Sequence, residues 1–133
     1  MSLDANPTVI DQLLTGIQAS SIPDGIFSDD AVLDATVPNW RFCVRGGDAV
    51  RSQLAQWYAD PGQFQSLHRT PLPHGELVEF TLTWVEQGIE HTCHQAHIFE
   101  TAGGRVSTDT VFCGGRWPAS LVAEMNAVQT TTA

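Results

Sequence analysis

Residues 76–86 alternate with a period of two. Val78, Phe80, Leu82 and Trp84 fall on one side of an extended chain, and Glu79, Thr81 and Thr83 on the other. A helix repeats its faces every ~3.6 residues and cannot separate the two sets, so this stretch is a strand with one buried face. Gln87-Gly88 then reads as a turn, residues 89–100 as a strand, Ala102-Gly103-Gly104 as a turn, and residues 105–113 as a further strand. Long strands joined by tight turns form a meander, and its apolar face must be covered by other elements.

The chain ahead of the meander supplies the cover. Asn6-Pro7 is a helix start, with Asn as cap and Pro at the first helical position, and Val9, Ile10, Leu13, Leu14 and Ile17 follow at helical spacing. Residues 22–27 suit one short helical turn, and residues 31–37 and 41–44 two short strands. Gly46-Gly47 breaks the chain before a helix marked by Val50, Leu54, Trp57 and Tyr58, which stops before Asp60-Pro61. Residues 64–70 form a strand cut by Pro71 and Pro73. Pro118 opens a short helix carrying Leu121, Val122 and Met125, and residues 129–133 form a loose tail. The expected fold class is α+β, one domain over residues 1–133, with helices packed on one face of a curved antiparallel sheet.

Charge narrows the function. The 133 residues contain 15 acids against six bases, a net charge of −9, and every base is an arginine. Without lysine there is no Schiff-base chemistry and no phosphate-loop lysine. A strongly acidic surface repels phosphate backbones and anionic lipid, so neither nucleic acid nor membrane is an expected partner. No apolar run approaches the ~20 residues needed to span a bilayer. Met1-Ser2-Leu3-Asp4 does not read as a signal peptide, and Cys43, Cys93 and Cys113 lack metal or disulfide spacing, so a cytoplasmic protein is expected.

The run Ile26-Phe27-Ser28-Asp29-Asp30-Ala31-Val32-Leu33-Asp34, followed by Gly47-Asp48-Ala49-Val50-Arg51, is similar to the F-A-D-D-A…G-x-x-A-I-R passage of the nuclear-transport-factor-2-like superfamily. His97-Ile98-Phe99 and Gly104-Arg105-Val106 resemble that family's late hairpin, and the likeness spans residues 7–117. The resemblance implies a cystatin-like, cone-shaped sheet wrapped around the N-terminal helices, with a pocket at its open end. It implies a small hydrophobic ligand or substrate, a homodimer, and no cofactor. Members include ketosteroid isomerases, SnoaL-like polyketide cyclases and epoxide hydrolases, as well as modules without chemistry, so function must come from the site.

Aligned on the family's hairpin, Asp109, Val111 and Cys113 face the pocket from the last strand, and Cys93, Gln95, His97 and Phe99 from the strand before it. Phe80, Leu82 and Trp84 join them. The isomerase base falls at Ala35, its oxyanion aspartate at Gln95, and the first helix has no tyrosine, so isomerase chemistry of that kind is not expected. SnoaL-like cyclases pair Gln-x-His with an acid/base aspartate, which Gln95-Ala96-His97 and Asp109 resemble. The implied catalytic set is Asp109 as acid/base with Gln95 and His97 orienting the substrate, and the implied binding set is Tyr58, Phe80, Trp84, Phe99, Val111 and Trp40. A carboxyl group in an apolar cavity can carry a proton to and from carbon beside a carbonyl. Whether His97 and Asp109 share a face depends on the hairpin loop: three residues bring them together, two turn them apart.

Other readings stay open. A non-catalytic pocket or dimerisation module would need none of this chemistry. His91, Cys93, His94 and His97 look like a metal cluster, but on a strand His91 and His97 lie ~20 Å apart, so no metal site is expected. Arg69 and Arg105 have no evident paired acids, which disfavours the arginine–aspartate set of the epoxide hydrolases. Trp40 and Trp117 fall in loops near the expected mouth.

Overall fold

The computed structural model describes residues 8–132. The order is α1 (Val9–Ala19), β1 (Phe27–Val37), β2 (Trp40–Arg45), α2 (Gly47–Trp57), β3 (Gly62–Leu72), β4 (Gly75–Glu86), β5 (Ile89–Ala102), β6 (Arg105–Cys113), β7 (Trp117–Pro118) and α3 (Ala119–Thr132). The strands form one sheet in the order β2-β1-β6-β5-β4-β3, with β7 paired to β5. One correction to the expected antiparallel sheet follows: β1 and β6 pair in parallel, so the sheet is mixed.

The alternation of residues 76–86 is realised directly, with Val78, Phe80, Leu82 and Trp84 all buried. Ile10, Leu13, Leu14 and Ile17 of α1, with Val50 and Leu54 of α2, share a core with Leu33, Phe99, Val106 and Val111 of the sheet. Each large side chain buried there contributes roughly 1.5–3 kcal/mol.

Several boundaries differ from the sequence reading, each for a local reason. Asn6 and Pro7 lie outside the described residues, and α1 is capped by Thr8. Its hydroxyl accepts from the Asp11 N–H at 3.1 Å, and the Asp11 carboxylate accepts from the Thr8 N–H at 2.8 Å. This reciprocal pair satisfies two donors that a helix start leaves free. Residues 22–26 form no helix, since Gly25 adopts φ 77° in a turn. β3 continues through Pro71 to Leu72, because it is an edge strand and a missing N–H there breaks no ladder. α3 runs to Thr132 in place of the short helix and loose tail, leaving only Ala133 of that tail outside the described residues. Among the described residues no helix is long and apolar enough to cross a membrane.

Candidate functional site

β5 and β6 bring the polar residues together through a detail that loop length alone does not reveal. Their turn is the two residues Gly103 and Gly104, both with positive φ (62° and 77°), which suits glycine and the primed hairpin turns. By parity that turn should separate His97 from Asp109. The register, however, shifts between Glu100, which faces Thr108, and Thr101, which faces Val106. Ser107 is the extra residue, and its hydroxyl donates to the Glu100 carbonyl at 3.1 Å. A one-residue bulge exchanges the faces of everything beyond it. His97 therefore lies opposite Val111 and diagonal to Asp109 on the inner face.

There the two side chains pair. Nδ1 of His97 is 2.9 Å from Asp109 Oδ1 and 3.0 Å from Oδ2, with His97 0% and Asp109 1% exposed. The imidazole is stacked between Phe80 and Phe99, at 5.4 and 5.1 Å between ring centres. Its other nitrogen, Nε2, lies 2.9 Å from Gln95 Oε1 and 3.2 Å from the Tyr58 hydroxyl. The Tyr58 O–H donates to Gln95 Oε1 at 2.5 Å, and the Gln95 amide donates to Cys113 Sγ at 3.3 Å. Both ring nitrogens of His97 thus lie within hydrogen-bond distance of oxygen: Nδ1 faces the Asp109 carboxylate, and Nε2 faces Gln95 Oε1 and the Tyr58 hydroxyl.

Tyr58 enters from the C-terminal end of α2, where the backbone leaves the helix at φ −106° and ψ 49°. Burial holds its phenol well above the ordinary value, and the nearby Cys93, Asp109 and Cys113 add to this, against a smaller opposing effect from Gln95. The group is therefore a hydrogen-bond donor at any physiological pH.

A cavity of about 180 Å³ opens over this chain of contacts. Tyr58 and Gln95 line it, with Leu82, Trp57 and Trp84 as apolar walls and Val37, Pro38, Asp60 and Arg116 among the remaining lining residues. Its exposed surface is mostly apolar, as suits a small organic ligand.

No protein-family model and no curated protein sequence matches the chain. Solved structures do. A nuclear-transport-factor-2-like protein from Anabaena variabilis superposes with a TM-score of 0.69 at 14% identity, over 86% of this chain and 95% of that one. The chain has the nuclear-transport-factor-2-like fold. An LEH-like epoxide hydrolase from M. tuberculosis (TM-score 0.62, 16% identity, 79% of each chain) is also similar. So is a Bacillus subtilis protein provisionally named an isomerase (TM-score 0.63, 12% identity, 80% of this chain and 84% of that one). Identities this low carry the fold and leave the chemistry to the residues.

Within this nuclear-transport-factor-2-like sheet the expected site residues divide. Tyr58, Trp84 and Gln95 line the cavity. His97, Asp109, Phe80, Phe99 and Val111 are buried, but none lines it. Asp109 reaches the cavity only through His97. Trp40, 69% exposed on the β1–β2 hairpin, lies two residues from the lining Pro38 and is not itself in the wall. Trp117 packs against His94 at 5.2 Å between ring centres.

Among the described residues no three His, Cys, Asp or Glu side chains are placed to hold a metal ion. His91 instead stacks on Trp84 at 5.6 Å. The expectation that Arg69 and Arg105 lack paired acids is corrected. Arg69 bonds Asp11 at 2.5 Å and also Glu76, and Arg105 lies 3.3 Å from Asp29. Asp11 and Asp29 lie 58 and 76 residues away along the chain, beyond the reach of local pattern, and none of these groups lines the cavity.

Sequence reasoning missed Asp60 and Arg116 as lining residues. Asp60-Pro61 carries the signature of a helix stop, and Arg116 follows two glycines outside any periodic element. Neither position leaves a chemical signal.

Proposed function

We propose that this chain is a cofactor-free acid/base enzyme for a small hydrophobic carbonyl compound, performing an isomerisation, cyclisation or dehydration. The observation that supports the reading is the buried chain Asp109–His97–Tyr58/Gln95 ending at the floor of an aromatic-walled cavity. The substrate oxygen displaces Gln95 as acceptor of the Tyr58 O–H. As a water at the cavity mouth takes the proton from the carbon beside the carbonyl, Tyr58 passes its proton to the oxygen, and Nε2 of His97, which in this reading starts with a proton on each nitrogen, returns one to the phenol from 3.2 Å. His97 becomes neutral, and at the end of turnover a proton is returned to carbon while the transfers between oxygen, Tyr58 and His97 run in reverse. Asp109 is thus a positioning residue, holding the imidazole by its Nδ1–H in the manner of a buried triad acid.

Size refines the substrate class. An engineered apolar cavity of about 150 Å³ takes up benzene, so a cavity of about 180 Å³ suits one or two rings better than a polycyclic compound. Two further parts belong to the proposal. Three free cysteines fit a reducing, cytoplasmic setting. Phe112, 50% exposed on the outer sheet face near Thr81, His94 and Ala96, fits the pairing of two copies through that face.

The test is turnover of a panel of one- and two-ring aryl ketones and enones by wild type and Tyr58→Phe. The variant should lose about 10²-fold in kcat with a smaller change in KM, the usual weight of a positioned acid. A panel member turned over equally well by both proteins would refute the role of Tyr58. Binding without turnover across the panel would favour a ligand-binding module of the same fold.

A further inference from the structure

The cavity wall carries two charged residues whose situations differ. Arg116 is fully engaged: it donates to the Trp57 carbonyl at 3.0 Å and to the Glu86 carboxylate at 2.5 Å, and its guanidinium lies 4.7 Å above the Trp84 ring. Trp84 in turn donates its indole N–H to the same Glu86 oxygen at 3.0 Å. The arginine charge is therefore answered by Glu86, and its donors are largely spent on the wall itself. Asp60 is half-buried, lines the cavity, and enters none of the ion pairs or side-chain hydrogen bonds formed among the described residues.

We propose that Asp60 selects the end of the substrate remote from its carbonyl, favouring a compound with an ammonium or hydroxyl donor there and rejecting one with a carboxylate. The inference rests on the carbonyl-binding reading above and adds the second half of the recognition: Tyr58 meets an acceptor and Asp60 meets a donor. A carboxylate beside apolar walls gains more from a bound donor than it would in water, because solvent screening is weaker there. With Arg116 compensated, the unbalanced charge in the wall is negative, so an anionic ligand finds no partner and a repulsive neighbour.

The experiment measures binding of three probes to the whole chain by calorimetry: acetophenone, para-(aminomethyl)acetophenone as the cation and para-acetylbenzoate as the anion. The cation should bind at least about tenfold more tightly than the anion, a modest demand for a charge pair near a protein surface. In Asp60→Asn the cation-to-anion ratio should fall toward one. The substitution changes the net charge only from −9 to −8, so a collapse reports the local carboxylate and not the overall field. In the wild type, raising the ionic strength should narrow the preference only partly, because a half-buried charge is incompletely screened.

An unchanged ratio in Asp60→Asn, or tightest binding of the anion, overturns the proposal. If acetophenone binds and the three probes are equal, the selection by Asp60 fails while the carbonyl reading stands. If none binds to folded protein, the carbonyl reading fails and takes this inference with it.

Discussion

His97 is the residue on which the site turns. Two phenylalanine rings clamp its imidazole, Asp109 holds one nitrogen, and the two groups that reach the cavity share the other. Removing one partner of a fully buried hydrogen bond leaves the other without a partner and out of reach of water. Asp109→Ala should therefore lower the unfolding free energy by roughly 1–3 kcal/mol in urea titration. Asp109→Asn, which keeps the shape and one polar partner, should cost less. Equal stability of wild type and Asp109→Ala would mean that this contact does not hold the imidazole. Asp109 was legible in the sequence because it stands alone: eight of the nine aspartates precede residue 61. Tyr58 was legible as the only phenol. Asp60 was not, since its place in the wall comes from the fold of α2 onto the sheet and not from any spacing near it.

Among the elements, the β5–β6 hairpin decides whether a site exists. Its two-residue turn sets one parity and the bulge at Ser107 reverses it. Deleting Ser107 should remove the bulge and keep every pair beyond it, Thr108 with Glu100 through Val111 with His97, so Asp109 stays on the inner face. The expected result is a folded protein whose His97 ring keeps its Nδ1 partner, readable in the imidazole nitrogen resonances. Loss of the Nδ1 partner on this deletion would show that Ser107 is not simply one residue in excess. The alternation that defines β4, and the glycine turns after it, were plain in the sequence because strand burial follows side-chain period. A bulge has no such signature here: Ser107 is an ordinary strand residue, and only the pairing shows it to be extra. β3 shows the same limit, since Pro71 looks like a break until the strand is known to be an edge.

At the scale of the molecule, β5 and the end of α2 place two weak acids, Cys93 and Tyr58, where ionisation is disfavoured. Burial, with a smaller contribution from Cys113, raises the Cys93 thiol from 9.0 to about 12, and burial lifts the Tyr58 phenol well above 10.0. In the native state both keep their protons at pH values where the unfolded chain has released them. The Cys93 contribution to stability is therefore complete below pH 9 and is lost as pH rises from 9 through about 12, and that of Tyr58 is complete up to about pH 10 and is lost above it. The melting temperature should fall steeply across that range and less steeply in Cys93→Ala, and parallel profiles for the two proteins would contradict the assignment. The same packing makes Tyr58 a durable donor over the cavity, which joins the fold to the proposed chemistry. The direct measurement is side-chain ¹⁵N spectroscopy of His97 while acetophenone is titrated into the chain. If Tyr58 links ligand to histidine, the Nε2 resonance shifts as the ketone saturates wild type and stays still in Tyr58→Phe. Saturation of the wild-type cavity with no movement of that resonance would show that the buried pair takes no part.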